Sequence, residues 1–105
     1  MAQIVWAESA LLDLNDVAEY IALDKPSTAR RLVQDVFARV ELLEQAPKSG
    51  RVPPELKRSR YREVIVGPCR IFYRPTPKSI LVLHVMRSER MLRRYILSER
   101  ENESS

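Results

Sequence analysis

The run Arg62-Glu63-Val64-Ile65-Val66-Gly67-Pro68-Cys69-Arg70-Ile71-Phe72-Tyr73-Arg74 leaves this chain few folds to choose from. β-branched and aromatic residues on either side of Gly67-Pro68 predict two strands joined by a tight turn. A third apolar run, residues 79–86, follows the turn sequence Pro75-Thr76-Pro77-Lys78. Connections this short join antiparallel neighbours, because parallel strands need a long crossover. The expectation is a three-strand meander over residues 61–66, 69–74 and 79–86. Period two places Ile71 and Tyr73 on one face and Arg70, Phe72 and Arg74 on the other. An unpaired cation is costly to bury, so arginines inside apolar strands mark the first place to look for function.

The first half of the chain reads as helical. Residues 2–6 alternate weakly, with Ile4 and Trp6 on one side, and predict a short first strand. Leu11, Leu14, Val17, Ala18 and Ile21 then recur at helical spacing, with Asp13, Asp16 and Glu19 on the opposite face. Ser9 is one candidate N-cap, although residues 7–12 could also begin the helix earlier, and the helix ends near Asp24. Pro26 suits the first turn of a second helix, whose stripe is Ala29, Leu32, Val33, Val36, Phe37, Val40 and Leu43. Pro47 stops it and Lys48-Ser49-Gly50 makes a turn, giving an antiparallel helical hairpin. Residues 51–60 form a linker in which Val52-Pro53-Pro54 prevents regular structure, and Lys57, Arg58, Arg60 and Arg62 charge the entry to the sheet. Residues 88–100 predict a short helix with Met91, Leu92, Tyr95 and Ile96 on its apolar side. The expected fold is α+β: an N-terminal strand and helical hairpin packed on a C-terminal antiparallel meander, in one mixed sheet. A single domain over residues 1–98 and a frayed polar tail over 99–105 complete the expectation.

Several function classes are excluded or left without support. The chain has 105 residues, 45% of them hydrophobic and 30% charged, enough for one modest core and against disorder. A single cysteine, Cys69, excludes an internal disulfide and offers no metal-ligand spacing. Two glycines exclude a phosphate-cradling loop. No metal or cofactor is expected. The N-terminus lacks the basic and apolar regions of a signal peptide, and no apolar run approaches a membrane span, so a soluble cytoplasmic protein without membrane contact is expected. Residues 1–50 carry five Lys/Arg and eight Asp/Glu, net −3, while residues 51–105 carry thirteen and six, net +7. A basic second half suggests an anionic partner, nucleic acid or an acidic protein segment, or else a solvated basic surface.

No Ser-His-Asp or Cys-His arrangement follows from the spacing. His84, the only histidine, reads either as a general base or as a half-buried strand residue. Cys69 reads either as a thiol activated by Arg70 or as a small hydrophobe. What remains is an arginine-rich surface of Arg62, Arg70, Arg74, Arg87, Arg90, Arg93 and Arg94 with Tyr61, Tyr73 and Tyr95. Arginine suits bidentate contact with phosphate or carboxylate, and tyrosine stacks on bases. Arg70 either faces a target or pairs with Glu63 inside the fold; Arg90, at the exit of the last strand, is placed for display.

These residues resemble the RelE/ParE superfamily of bacterial type II toxin–antitoxin toxins. The resemblance is carried by Trp6, Ala10, Asp13-Leu14, Tyr20-Ile21-Ala22, Asp24, Pro26 and Ala29. In the sheet it is carried by Tyr61-Arg62-Glu63, Gly67 through Arg74, Ile80 through Val85, and Arg90. It implies a small basic toxin held inactive by a cognate antitoxin in a hetero-oligomer. In RelE-like members, which cleave mRNA in the ribosomal A site, Arg70 matches the strand arginine and Arg90 the arginine after the last strand, with Tyr95 near a catalytic tyrosine. The lysine of that set would fall near Val64, where none stands; Lys57 precedes the strand. ParE-like members poison DNA gyrase, and the hairpin together with Arg62-Glu63, Gly67-Pro68, Arg70-Ile71 and Tyr73 resembles that branch more closely. Its histidine-glycine-arginine-arginine ending is replaced here by Arg87-Ser88-Glu89-Arg90. The leading expectation is a gyrase-poisoning toxin whose target surface includes Arg62, Arg70, Arg74, Arg87, Arg90, Arg93 and Arg94. The alternatives are an mRNA endonuclease using Arg70, Arg90, Tyr95 and Lys57, and a degenerate toxin that serves only its antitoxin or acts as co-repressor.

Overall fold

The computed structural model describes residues 2–104; Met1 and Ser105, the outermost residues of the expected domain and tail, lie outside the described residues. Strand β1 (Gln3–Trp6) leads into helices α1 (Glu8–Ala22) and α2 (Pro26–Glu41). The meander follows as β2 (Arg62–Val66), β3 (Cys69–Pro75) and β4 (Ser79–Arg87), and helix α3 (Ile96–Ser104) closes the described chain. The sheet order is β1-β4-β3-β2. β2, β3 and β4 pair antiparallel as the short turns require, and β1 pairs parallel with β4, from Gln3 opposite Ser79 to Trp6 opposite Val82. This is the expected mixed sheet of an α+β fold.

Gly67, at φ 52°, takes the left-handed conformation that the two-residue turn between Val66 and Cys69 demands. Gly50 is needed for a different reason: a Cβ there would lie 2.6 Å from the Glu63 carbonyl oxygen and 2.6 Å from the Tyr73 hydroxyl. The linker is thereby pressed onto β2, and Arg51 exchanges two backbone hydrogen bonds with Glu63, at 3.0 and 2.7 Å.

The α2 stripe is buried at Ala29, Leu32, Val36 and Val40, continuing to Leu43. In α1 only Ala10 and Leu14 are fully buried, whereas Leu11 is exposed. Cross-strand register gathers Trp6, Val64, Ile71, Tyr73, Val82 and Val85 on one sheet face. The hairpin covers that face, with the Trp6 ring 4.9 Å from that of Phe37, a geometry worth about 0.5–1.5 kcal/mol beyond burial. Glu63, Arg70, Phe72 and His84 share the other face, which the linker and α3 cover through Leu56, Leu92, Ile96 and Leu97. A bulge between Phe72 and Tyr73 sets Leu83 as the extra residue of β4.

Three local expectations need correction. Ser9 is not the N-cap of α1: Ala7 occupies that position, buried and donating its N–H to the Val82 carbonyl at 2.9 Å. Strand pairing therefore fixes where the helix starts, without a capping side chain. The last helix starts at Ile96 rather than near Ser88. The Leu92 N–H donates to the Glu55 carboxylate at 2.9 Å and the Arg90 carbonyl accepts from Arg70 at 3.2 Å, so these backbone groups are held by side chains. As a result Met91 and Tyr95, expected on an apolar face, are 80% and 65% exposed. Finally, residues 99–104 continue α3 instead of forming a frayed tail. Arg100 and Glu101 anchor them to α1 and to β3, respectively, through Asp13 and Arg74.

Candidate target-binding site

Arg70 sits in mid-strand on β3 with 6% of its side chain exposed. Its Nη1 and Nη2 donate to the Glu55 carboxylate, both at 2.7 Å, while Nε and Nη2 donate to Glu63 at 3.2 and 2.6 Å. Glu63 is fully buried and also accepts from Arg51. The Arg70 guanidinium also packs over the Phe72 ring at 4.9 Å. The Arg70 hydrogen bonds hold the Glu55 carboxyl down at about 2, and the same partnership raises the pKa of Arg70 further above its already high range. Of the two readings of Arg70, the ion pair with Glu63 is the one the fold adopts. The side chain is held in these pairs and is almost wholly buried.

The other arginines divide by partner. Arg62 donates to the carbonyls of Lys48 and Gly50 at 3.2 and 2.8 Å, tying β2 to the turn after the hairpin. Arg74 pairs with Glu101 of α3. Arg87 pairs with Glu89 at 2.8 Å and packs over the Tyr20 ring at 4.7 Å. Arg90, Arg93 and Arg94 lie in the segment between β4 and α3 and are exposed. Among the described residues none of these three has a carboxylate partner, and Arg94 packs over the neighbouring Tyr95 ring at 5.7 Å. The expected arginine set is therefore not one surface. The structure brings Arg90, Arg93, Arg94 and Tyr95 together on one exposed segment and places Arg62, Arg70 and Arg74 in the framework.

The tyrosines divide likewise. Tyr73 is fully buried, accepting from the Gly50 N–H at 3.0 Å and donating to the Pro47 carbonyl at 2.8 Å. Tyr61 is buried and donates to Glu101 at 2.8 Å. Of the expected three only Tyr95 is exposed, with Arg94 packed over its ring. Lys57 is exposed in the linker.

Cys69 takes its structural reading, and His84 is part-buried beside a carboxylate. The His84 ring lies 5.7 Å from Phe72, and its Nδ1 is 2.8 Å from Asp13 Oδ2. Asp13 also accepts from the Val85 N–H at 3.1 Å and from Arg100 at 3.0 Å, and Arg100 donates to the Leu83 carbonyl. β1 pairs with β4 only as far as Val82, so these side chains seal the strand edge that β1 leaves open. Burial pushes the Asp13 pKa up, but the hydrogen bonds from His84 and Arg100 outweigh it and leave it lowered. His84 nonetheless lines a groove of about 370 Å³ together with Asp16, Tyr20, Arg87 and Arg90. Cys69 is fully buried, and burial pushes its thiol up to about 11, opposite to an activated nucleophile. Among the described residues no cluster of three or more His, Cys, Asp or Glu is disposed to hold a metal ion.

Two key residues escaped the sequence reading. Glu55 grips both Arg70 and the arginine segment, and its signal was its position as the only acid between Arg51 and Arg62. Asp13, assigned to the solvent face of α1, instead closes the β4 edge; nothing in its helical spacing marks that role.

Comparison with known proteins meets this geometry. The family model for the ParE toxin of the type II toxin–antitoxin system parDE matches residues 4–92. Toxin RelE2 of Caulobacter vibrioides is 34% identical over 68 residues, spanning 65% of this chain and 73% of that protein. A structure described as the chromosomal ParDE TA system from P. aeruginosa aligns with TM-score 0.71 and 25% identity, covering 85% of this chain and 98% of that one. Among the described residues no helix is long and apolar enough to cross a membrane. Matched from β1 to the arginine segment, this chain belongs to the ParE toxin family, within the RelE/ParE superfamily of type II toxin–antitoxin toxins, a membership that implies an antitoxin partner.

Proposed function

We propose that this toxin inhibits growth by binding and poisoning DNA gyrase, without chemistry of its own, until a cognate antitoxin neutralises it. One observation carries the reading: the exposed arginines Arg90, Arg93 and Arg94 stand with exposed Met91 and Tyr95 on a single segment. Arginine, tyrosine and methionine are enriched at protein–protein interfaces, and arginine and tyrosine dominate their hot spots. Two side-chain contacts to its backbone, from Arg70 and Glu55, hold that segment in place, which limits the ordering cost of docking. The strand arginine that phosphate chemistry would call on, Arg70, is neutralised between two carboxylates instead.

A second reading, an mRNA endonuclease, has one specific observation in its favour. His84 and Arg90 line the same groove, so a base and a free guanidinium share one opening. Purified toxin added to a gyrase supercoiling reaction and to programmed ribosomes separates the two. Inhibited supercoiling with intact mRNA is expected. Cleavage of the mRNA in the A site would overturn the gyrase reading. Activity in neither assay, with antitoxin binding retained, would point to a degenerate toxin.

A further inference from the structure

The Glu55–Arg70 ion pair grips the arginine segment in the pattern of a neighbouring strand. Arg70 Nη1 donates both to the Arg90 carbonyl, at 3.2 Å, and to Glu55 Oε2, at 2.7 Å. The same Oε2 accepts the Leu92 N–H at 2.9 Å. One ion pair thus supplies the donor for residue 90 and the acceptor for residue 92, and the residue bracketed between them is Met91. Just upstream, the Ser88 N–H donates to the Pro68 carbonyl at 2.8 Å, tying the segment to the turn between β2 and β3. Extended backbone sends successive side chains to opposite sides, and burial here follows that rule. Leu92 is buried and packs in the core, while Met91 is 80% exposed.

A single exposed methionine needs no explanation by itself. Here, however, the groups that hold it outward are nearly buried and charged, and its sequence neighbours Arg90, Arg93 and Arg94 are exposed cations. A flexible apolar side chain set among arginines has the make-up of an interface core with its polar rim. Resting on the segment's reading as the target-facing surface, we propose that Met91 is the apolar anchor of the target contact. Glu55, acting through the Leu92 N–H and Arg70, is the positioning residue that presents it. Moving one methionine side chain from water into an interface is worth on the order of ten- to a hundredfold in affinity. Leaving one backbone residue to be ordered at docking costs on the order of tenfold.

The test titrates the full chain against purified gyrase by biolayer interferometry, with a melting curve and growth inhibition on expression for each variant. Met91→Ala is expected to keep the wild-type melt and lose about tenfold or more in affinity, with toxicity falling in parallel. Glu55→Ala is expected to lose on the order of tenfold. Glu55→Gln, which keeps a weaker, neutral acceptor for the Leu92 N–H, should recover part of that loss, and it replaces Glu55→Ala if the latter does not fold. Hydrogen exchange at the Leu92 amide should quicken in Glu55→Ala while the amides of β3 stay protected. The Glu55→Ala/Met91→Ala double variant gives the decisive reading, because a positioning residue and the side chain it presents are coupled. It should lose little more than Met91→Ala alone. Losses that multiply would make Glu55 a stabiliser of the fold only and overturn its positioning role. A folded Met91→Ala protein with wild-type affinity and toxicity overturns the anchor. Toxic wild-type protein without affinity for gyrase would remove the gyrase reading alone, and the same cycle read in growth inhibition then decides for Met91 and Glu55. Wild-type protein that neither binds gyrase nor inhibits growth overturns both.

Discussion

Arg70 and Arg90 carry the same guanidinium and touch through one hydrogen bond, from Arg70 Nη1 to the Arg90 carbonyl at 3.2 Å, yet they do opposite work. Around Arg70, Glu55 from the linker and Glu63 from β2 converge with good geometry, and the charge ends inside the fold. Around Arg90 no carboxylate converges among the described residues, so its charge remains for solvent or a target. The contrast shows that in a small sheet an arginine's role follows from what its neighbours bring. It also links the two regions: the buried hub grips the backbone of the exposed segment through Arg70 and Glu55.

The comparison breaks most visibly if the hub is opened. Arg70→Ala leaves the Glu55 carboxylate without its cation and the buried Glu63 with Arg51 alone. Removing one member of a buried pair costs about 3–5 kcal/mol. In a domain of ~100 residues each kcal/mol lowers the melting temperature by about 4–8 °C, so a fall of at least ~12 °C, or loss of a cooperative melt, is expected by circular dichroism. An unchanged melt would show that Arg70 is not the bolt described here.

A smaller effect should come from acid. Glu55 is held at about 2 in the folded chain against an ordinary value of 4.5. A lowered carboxyl contributes stability that is fully present above its unfolded value and is lost as pH falls through the folded one. Stability should therefore decline between pH values of about 4.5 and about 2, and Glu55→Gln should flatten that decline. Asp13 and Glu101, also lowered, act with the same sign and leave a residual slope. Denaturant titrations across this window supply the measurement; an equally steep decline in Glu55→Gln would remove Glu55 from the account.

The least effect on stability is expected at the exposed end. Arg90→Ala should change stability by no more than about 0.5 kcal/mol, as for surface sites without partners, while growth inhibition by the expressed toxin is lost. Full toxicity in a folded Arg90→Ala protein would refute the assignment of that surface.

Much of this architecture was legible in the residues. The Gly67-Pro68 turn, the alternation of β3 and the α2 stripe from Ala29 to Leu43 are local patterns, and they specify local structure through propensity and period. The start of α3 and the fate of residues 99–104 were not legible, because both depend on side chains distant in sequence. Glu55 reaches Leu92 and Arg100 reaches Asp13, and no window of neighbouring residues contains such a pair.

By itself the sequence determined an α+β chain with an antiparallel meander, its superfamily, and a basic half rich in arginine. Only the tertiary structure decided which arginines are free. It buried Arg70 between Glu55 and Glu63, locked Arg74 to Glu101, and left Arg90, Arg93 and Arg94 outside. The reason is physical: a charge is structural or functional according to the partners within a few ångströms, and those partners are assembled by folding.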